Sequence, residues 1–282
     1  MSAGMNIGIV GLGLIGGSMA KSVKTRTQHT VWGTDTDSET MTLARLCGAI
    51  DAPLTDENLS NCDLLLLAVA PHATIEWVQS HAEKISPKTT VVDLCGVKRA
   101  ICSVLMPLAH KHGFTYIGGH PMAGTERSGF VNSLPDLFVG TSMILTPEPG
   151  TDIQLLEKLK AFFTDVGFAS LTFTQPEEHD RIIAYTSQLA HVVSSSYVKS
   201  PDATRRRGFS AGSFRDMTRV ARLDEKMWTE LFLANGDFLT EQLEILIAHM
   251  TEYLDALKAK DAPRLQALLK DGREKKALVG GN

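Results

Sequence analysis

The stretch MNIGIVGLGLIGGSMAKSV, residues 5–23, passes from a short apolar run through Gly11-x-Gly13-x-x-Gly16 into an amphipathic segment, and no other feature limits the fold as tightly. Glycine at 11 permits a tight turn, glycine at 13 lets the backbone approach a pyrophosphate, and glycine at 16 lets a helix pack closely on the strand. The phosphates then lie at the helix N-terminus. The next apolar run, HTVWGTD, ends in Asp35, nineteen residues beyond Gly16. A carboxylate there accepts hydrogen bonds from the adenosine ribose hydroxyls and repels a 2′-phosphate, which favours NAD over NADP. Expected cofactor contacts are Gly11, Gly13, Leu14, Ile15, Gly16 and Asp35. Ligands of such folds sit outside the carboxyl ends of the strands, which adds Val69 and Pro71 in Ala68-Val69-Ala70-Pro71 and Gly96 in Gly96-Val97-Lys98.

The remainder of the first 175 residues alternates short apolar runs (CDLLLLAVAP, TTVVDLCG, FTYIGG, TSMILTP, FASLTFT) with helical patterns (SETMTLARLCGA, ATIEWVQSHAEKI, VKRAICSVLMPLAHKHG, IQLLEKLKAFFTDVG). Such alternation predicts a mostly parallel sheet covered by helices. After Pro176 the strand signals stop. HDRIIAYTSQLAHVVSSSYV reads as helix, RRRGFSAGSFRD as a connection, and one long helix begins near Asp224. In it Leu231, Phe238, Leu239, Leu243, Leu246, Ile247, Met250, Leu254 and Leu257 recur at three- and four-residue steps. The expected fold class is α/β: a Rossmann-type doubly wound sheet over residues 1–175, then an all-α dimerisation and substrate domain over 176–282. The stripe from Leu231 to Leu257 is expected to lie between two chains of a homodimer; an intrachain bundle is the alternative. Pro263 divides the long helix from a last one, and KKALVGGN reads as a frayed tail.

Composition removes several classes of function. A net charge of −4 over 282 residues gives no reason to expect nucleic acid. The four cysteines, Cys47, Cys62, Cys95 and Cys102, show no C-x-x-C spacing, which suits free thiols in a reducing cytoplasm. No apolar run is long enough for a membrane span, and the N-terminal residues lack the pattern of a signal peptide. No cluster of His, Cys and carboxylates has metal-ligand spacing, so no metal is expected.

The stretch GGHPMAGTERSGF, residues 118–130, sets His120 between glycines and a proline, directly after an apolar strand candidate. A histidine at that strand end can reach a ligand; on this stretch alone it reads sooner as a satisfied turn histidine. Together with GLGLIGGS (11–18), DLCGVK (93–98), EEHD with SQLAH (177–191), FRDMTRVA (214–221) and MW (227–228), this stretch resembles the prephenate/arogenate dehydrogenases of tyrosine biosynthesis. The order matches over nearly the whole chain. The resemblance implies NAD as cofactor, an intertwined homodimer, and oxidative decarboxylation of a cyclohexadienyl substrate. Abstraction of the ring hydroxyl proton while hydride leaves the same carbon makes a ketone, and loss of CO2 then gives a phenol.

The resemblance assigns His120 as the catalytic base, since a neutral imidazole accepts a proton near pH 7. Arg219 becomes a carboxylate clamp with its bidentate, permanently charged fork. His191 is expected to contact the substrate side chain, with Thr125 and Glu126 lining the pocket. Two positions depart from the pattern. Many members carry serine where this chain has Gly96, which leaves the second contact to the substrate hydroxyl to water, Thr125 or the Cys95 thiol. Some carry histidine where this chain has Gln188. Arg205, Arg206 and Arg207 read as a solvated face or as a steering patch for a dianion, and His179 and Asp180 as a helix start. A predominance of donors (His191, Gln188, the arginines around 205–219) favours prephenate, giving 4-hydroxyphenylpyruvate, over arogenate, giving tyrosine. A β-hydroxyacid-type dehydrogenase and a non-catalytic NAD-sensing protein are the remaining alternatives.

Overall fold

Eight strands are formed by the described residues, 4–125 and 127–280 of a computed structural model. The nucleotide half runs β1 (Asn6–Val10), α1 (Leu14–Arg26), β2 (Thr30–Thr34), α2 (Ser38–Leu46), β3 (Ala52–Pro53), α3 (Asp56–Leu59), β4 (Leu64–Leu67) and α4 (Pro71–His81). It continues with β5 (Thr90–Asp93), α5 (Arg99–His112), β6 (Thr115–Pro121), β7 (Ser142–Thr146), α6 (Ile153–Val166) and β8 (Ser170–Phe173). The sheet order is β3-β2-β1-β4-β5-β6-β7-β8, parallel except where β7 turns antiparallel to β6. Chain direction across the sheet reverses between β1 and β4, so the glycine loop after β1 opens into the crevice where such folds bind ligands.

The continuous apolar runs are explained by burial on both faces. Ile7, Ile9, Leu64, Leu66, Val92 and Ile117 join one core cluster. Val10, Leu65, Leu67, Val91 and Tyr116 join the other. Successive strand residues thus alternate between two covered faces, which polar side chains could not do.

The helical half is α7 (Pro176–Ile183), α8 (Leu189–Tyr197), α9 (Gly212–Thr218), α10 (Glu225–Ala234), α11 (Gly236–Ala259) and α12 (Ala262–Val279). Helices α7 and α8 are joined by a π-helical turn over Ala184–Gln188, a local widening often found beside functional groups. Three expectations are revised. The stretch expected as a pure connection contains α9. The segment expected as one long helix breaks at Asn235, fully buried, whose Nδ2 donates to Asp180 O (2.8 Å) and Gln188 Oε1 (2.8 Å). The tail residues 275–279 are helical, and the helix before them ends at Lys260, left-handed at φ 53°, with Asp261 capping α12 through Arg264 N at 3.0 Å.

Because α10 and α11 are separate, the apolar stripe divides. Leu231 turns towards Gly96, and Phe238 and Leu239 are buried within the chain. Phe238 carries the guanidinium groups of Arg99 and Arg181, 4.1 and 4.4 Å from its ring centroid. Ile247, Met250, Leu254 and Leu257 remain exposed, at 49–61%. This distal part of the stripe is free to meet another chain. Among the described residues no helix is long and apolar enough to cross a membrane.

Candidate active site

The cofactor loop is held open by its glycines. Gly11 has φ +83°, and a Cβ there would strike Val69 Cγ1 and Ala68 O. At Gly16 a Cβ would run into Gly11 O and Ala68 Cβ. Gly13 is different: its Cβ would project into open space, and as N-cap of α1 it provides no side-chain cap. The first backbone N–H groups of α1, among them those of Leu14 and Ile15, therefore face a cradle suited to an anion. The loop fits a dinucleotide pyrophosphate.

Asp35 lies just past β2 and ties this loop down, accepting from Leu12 N at 2.7 Å and Asp37 N at 2.9 Å. Its remaining lone pairs suit ribose hydroxyls. We expect Asp35→Ser to weaken NAD binding by about 10–100-fold, the value of charge-assisted hydrogen bonds, and to admit NADP. Fluorescence titration with both cofactors checks this, and equal use of NADP by the unmodified protein would contradict the assignment. Val69 packs on Gly11 and its carbonyl accepts from Thr74 Oγ1 and Cys95 Sγ, both at 3.3 Å; buried Pro71 opens α4.

At the end of β6 stands His120. Its Nδ1 is 2.9 Å from His179 Nε2, and His179 Nδ1 is 2.7 Å from Asp180 Oδ1. Asp180, fully buried, also accepts from the first backbone N–H groups at the start of α5: Lys98 N at 2.8 Å and Arg99 N at 2.9 Å. An ionised carboxylate only accepts, so His179 donates from Nδ1 and presents a lone pair at Nε2. His120 must then donate from Nδ1. The sequence of bonds leaves the lone pair of His120 on Nε2, the nitrogen that faces Gly96.

Burial, then neighbouring His179 and the Lys98 cation, holds the His120 pKa well below the ordinary histidine value. Burial also lowers His179, partly offset by its bond to Asp180. Lys98 is itself fully buried. Burial works most strongly against its charge, but Asp93 together with Cys95 and Cys102 outweighs this and keeps its pKa raised. Its Nζ bonds Asp93 Oδ1 and Gly119 O, and Asp93 Oδ2 accepts from Tyr116 Oη at 2.6 Å. The ionic pair thus clamps the strand residue before His120.

Farther along the α7–α8 helix, His191 donates from Nδ1 to Ser187 O at 2.9 Å and stacks on Trp228 with ring centroids 3.7 Å apart. Burial lowers its pKa, the Ser187 bond raises it, and the Arg219 charge lowers it again. The turn Arg219–Ala221 packs on α8. The structure therefore brings Arg219 and His191 together, with Arg219 exposed. Thr125 is exposed and its hydroxyl accepts from Arg127 N at 3.3 Å, within its own loop. Glu126 lies outside the described residues. Gln188, expected among the pocket donors, is buried and bonded elsewhere: its Nε2 donates to Leu231 O at 3.1 Å and its Oε1 accepts from Asn235. Among the described residues no group of His, Cys, Asp or Glu could hold a metal.

The two halves are tied at this site. Arg99 pairs with Asp237 and donates to Asn235 Oδ1 at 3.1 Å, while Glu230 accepts from His72 N at 2.7 Å. A Rossmann half with an NAD cradle, joined to helices that complete a histidine-centred site, defines an NAD-dependent dehydrogenase. The prephenate dehydrogenase nucleotide-binding domain matches residues 19–171, and the prephenate dehydrogenase dimerization domain matches 175–271. The chain belongs to the prephenate dehydrogenase family.

Similarity to individual members spans almost the full length. The prephenate dehydrogenase of Lactococcus lactis subsp. cremoris is 28% identical over 274 residues, covering 94% of this chain and 75% of the relative. The crystal structure of prephenate dehydrogenase from A. aeolicus in complex with hydroxyphenyl propionate and NAD+ matches with a TM-score of 0.85 at 28% identity. The match covers 99% of this chain and 100% of that one. Synechocystis arogenate dehydrogenase matches with a TM-score of 0.81 at 25% identity, over 98% and 100% of the two chains.

Proposed function

We propose that this chain catalyses the NAD-dependent oxidative decarboxylation of prephenate to 4-hydroxyphenylpyruvate, with release of CO2 and NADH, in tyrosine biosynthesis. The observation that carries the reading is the bonded series His120, His179, Asp180, which leaves an unprotonated Nε2 at the mouth of the crevice. When bound, NAD supplies the hydride acceptor. The loop Gly11–Gly16 would hold its pyrophosphate and Asp35 its ribose, with Val69, Pro71 and Gly96 beneath it. His120 Nε2 takes the proton of the substrate hydroxyl, and His179 with Asp180 keeps the ring oriented as positive charge develops on it. Arg219 receives a substrate carboxylate, His191 contacts the side chain, and Thr125 and Glu126 border the pocket.

We place the boundary between a nucleotide domain and a helical substrate domain at 175/176, between β8 and α7. Ile247, Met250, Leu254 and Leu257 are then covered in a homodimer. Each of these side chains is about half exposed in the single chain and so contributes roughly half of the ~1.5–3 kcal/mol of full burial, against which the loss of freedom on association is set. Sedimentation should give about twice 30.6 kDa, and a mass near 30.6 kDa itself would refute the dimer. The four cysteines are free, which suits a reducing cytoplasm.

Prephenate bears a keto group where arogenate bears an ammonium. With Gln188 committed elsewhere, the described side-chain pocket offers a neutral His191 and Arg219, and the permanent cation of Arg219 is poorly suited to a cationic amine. Initial rates of NADH formation with the two substrates side by side test the choice. A higher kcat/KM for prephenate is expected, and a clear preference for arogenate reverses it.

A further inference from the structure

Two glycines lead into His120, and neither has the left-handed backbone that would call for one. They are needed for room. A Cβ on Gly118 would press on Thr146 Oγ1, on Cys102 Sγ at 2.9 Å and on Lys98 Cδ at 3.1 Å; one on Gly119 would lie 2.5 Å from Asp93 O. The bare backbone lets the fully buried Lys98 side chain run against β6 until its Nζ donates to Gly119 O at 2.5 Å.

This contact falls where the sheet ladder gives out. Strand β6 pairs with β5 as far as Ile117, opposite Val92, and from Gly118 onward it pairs with β7. On the β5 side, the peptide before His120 is held instead by an ion pair: Lys98 Nζ takes Gly119 O, and Asp93 Oδ2 lies 3.4 Å from Gly119 N. Asp93 is in turn met by Lys98 Nζ, by Tyr116 Oη at 2.6 Å and by Cys95 N at 2.9 Å. Lys98 reaches the ring by a second route. Its backbone N–H donates to Asp180 Oδ1 at 2.8 Å, and from there the bonds run through His179 to His120 Nδ1. One residue therefore holds His120 at both its peptide and its imidazole.

We infer that Lys98 is a positioning residue for the base: its side chain continues the β5–β6 contact past the end of β5 and fixes the peptide entering His120, while its backbone N–H seats the carboxylate that orients the ring. This rests on the proposed reading of His120 as the base for prephenate. The charged and titratable groups around the imidazole are His179 from α7, with Asp180 behind it, and Lys98 from the β5–α5 turn, with Asp93 behind it; β7 sets Ile144 opposite. After burial and His179, the Lys98 charge is a further cause of the lowered His120 pKa.

Lys98→Met alone would strand the Asp93 charge in the core, so the test pairs it with Asp93→Asn and removes both charges together. Tyr116→Phe is the control, since it takes one donor from Asp93 and leaves Lys98 on Gly119 O. In the double variant kcat with prephenate should fall by about 10–100-fold, the scale for a displaced catalytic group, with NAD affinity unchanged. Two further readouts follow the imidazole: the acid limb of kcat/KM, and the His120 titration by NMR on labelled protein, assigned by its loss in His120→Asn. Both should move up by roughly half to one pH unit, because a neighbouring cation no longer opposes the imidazolium. Tyr116→Phe should lower the melting temperature and leave both in place. A lysine that only stabilises the core would likewise lower the melting temperature in the double variant without moving either, and that result overturns the inference. So does a Tyr116→Phe variant that moves them as far as the double variant. If the unmodified protein does not turn over prephenate, the functional reading fails, while the NMR titration still decides whether Lys98 acts on the imidazole.

Discussion

His120→Asn is expected to lower kcat by roughly 10²–10⁴, the range for loss of a general base, while leaving the fold and NAD binding intact. Asparagine is close in size to the inner half of the imidazole, and its amide can still donate to the lone pair of His179 Nε2. What it lacks is a nitrogen that accepts a proton near neutral pH. The cofactor cradle is built after β1 from Gly11, Gly13 and Gly16 and shares no hydrogen bond with His120. NAD affinity and turnover should therefore separate. Near-normal turnover in the variant would remove His120 from the base role.

The same bonded series sets the direction of the pH dependence. Burial, His179 and the Lys98 charge hold the His120 pKa well below 6.5, so the base is present throughout neutral pH. Activity should be flat there and fall only at pH well below 6.5, where the imidazole protonates. A single unburied histidine would lose half its base near 6.5. An acid limb centred above that value in the unmodified protein would contradict the burial of His120.

The fold was legible because its signals are local. Continuous apolar strands, the glycine loop and Asp35 each depend on residues near in sequence, and covered sheets accept few alternatives. His120 was legible as a histidine at a strand end. The groups that orient it were not, because their meaning depends on partners far along the chain. His179 and Asp180 read as a helix start, yet Asp180 binds backbone N–H groups of Lys98 and Arg99 from another element. A carboxylate among the apolar positions of α7 was the one available sign, since a buried charge demands partners. Asn235 was hidden inside an unbroken apolar periodicity. Its side chain breaks the helix by bonding two buried groups, Asp180 O and Gln188 Oε1. The same bonds withdraw Gln188 from the pocket, and the break turns Leu231 inwards, which no three- and four-residue spacing distinguishes from a dimer stripe.

Arg219→Ala is expected to reduce kcat/KM by about 30-fold or more, equivalent to about 2–5 kcal/mol, the cost of leaving a desolvated charge unpaired. The size decides between two situations. Arg219 is exposed in the single chain, and an exposed ion pair contributes only about 0–1 kcal/mol. A large loss therefore requires that the carboxylate and the guanidinium leave water together when the substrate binds. His191 and Trp228 provide the setting. Their stacked rings form an apolar and weakly polar surface within electrostatic reach of Arg219, and the lowered pKa of His191 keeps that histidine from competing for the anion. Arg219→Lys separates charge from shape: it keeps the cation but loses the bidentate fork, so it should recover only part of the loss. Measured with prephenate, the effect should fall mainly on KM if the arginine binds ground state and transition state alike. An unchanged kcat/KM in Arg219→Ala would return the residue to the exposed surface of the turn and leave the substrate carboxylate to other cations.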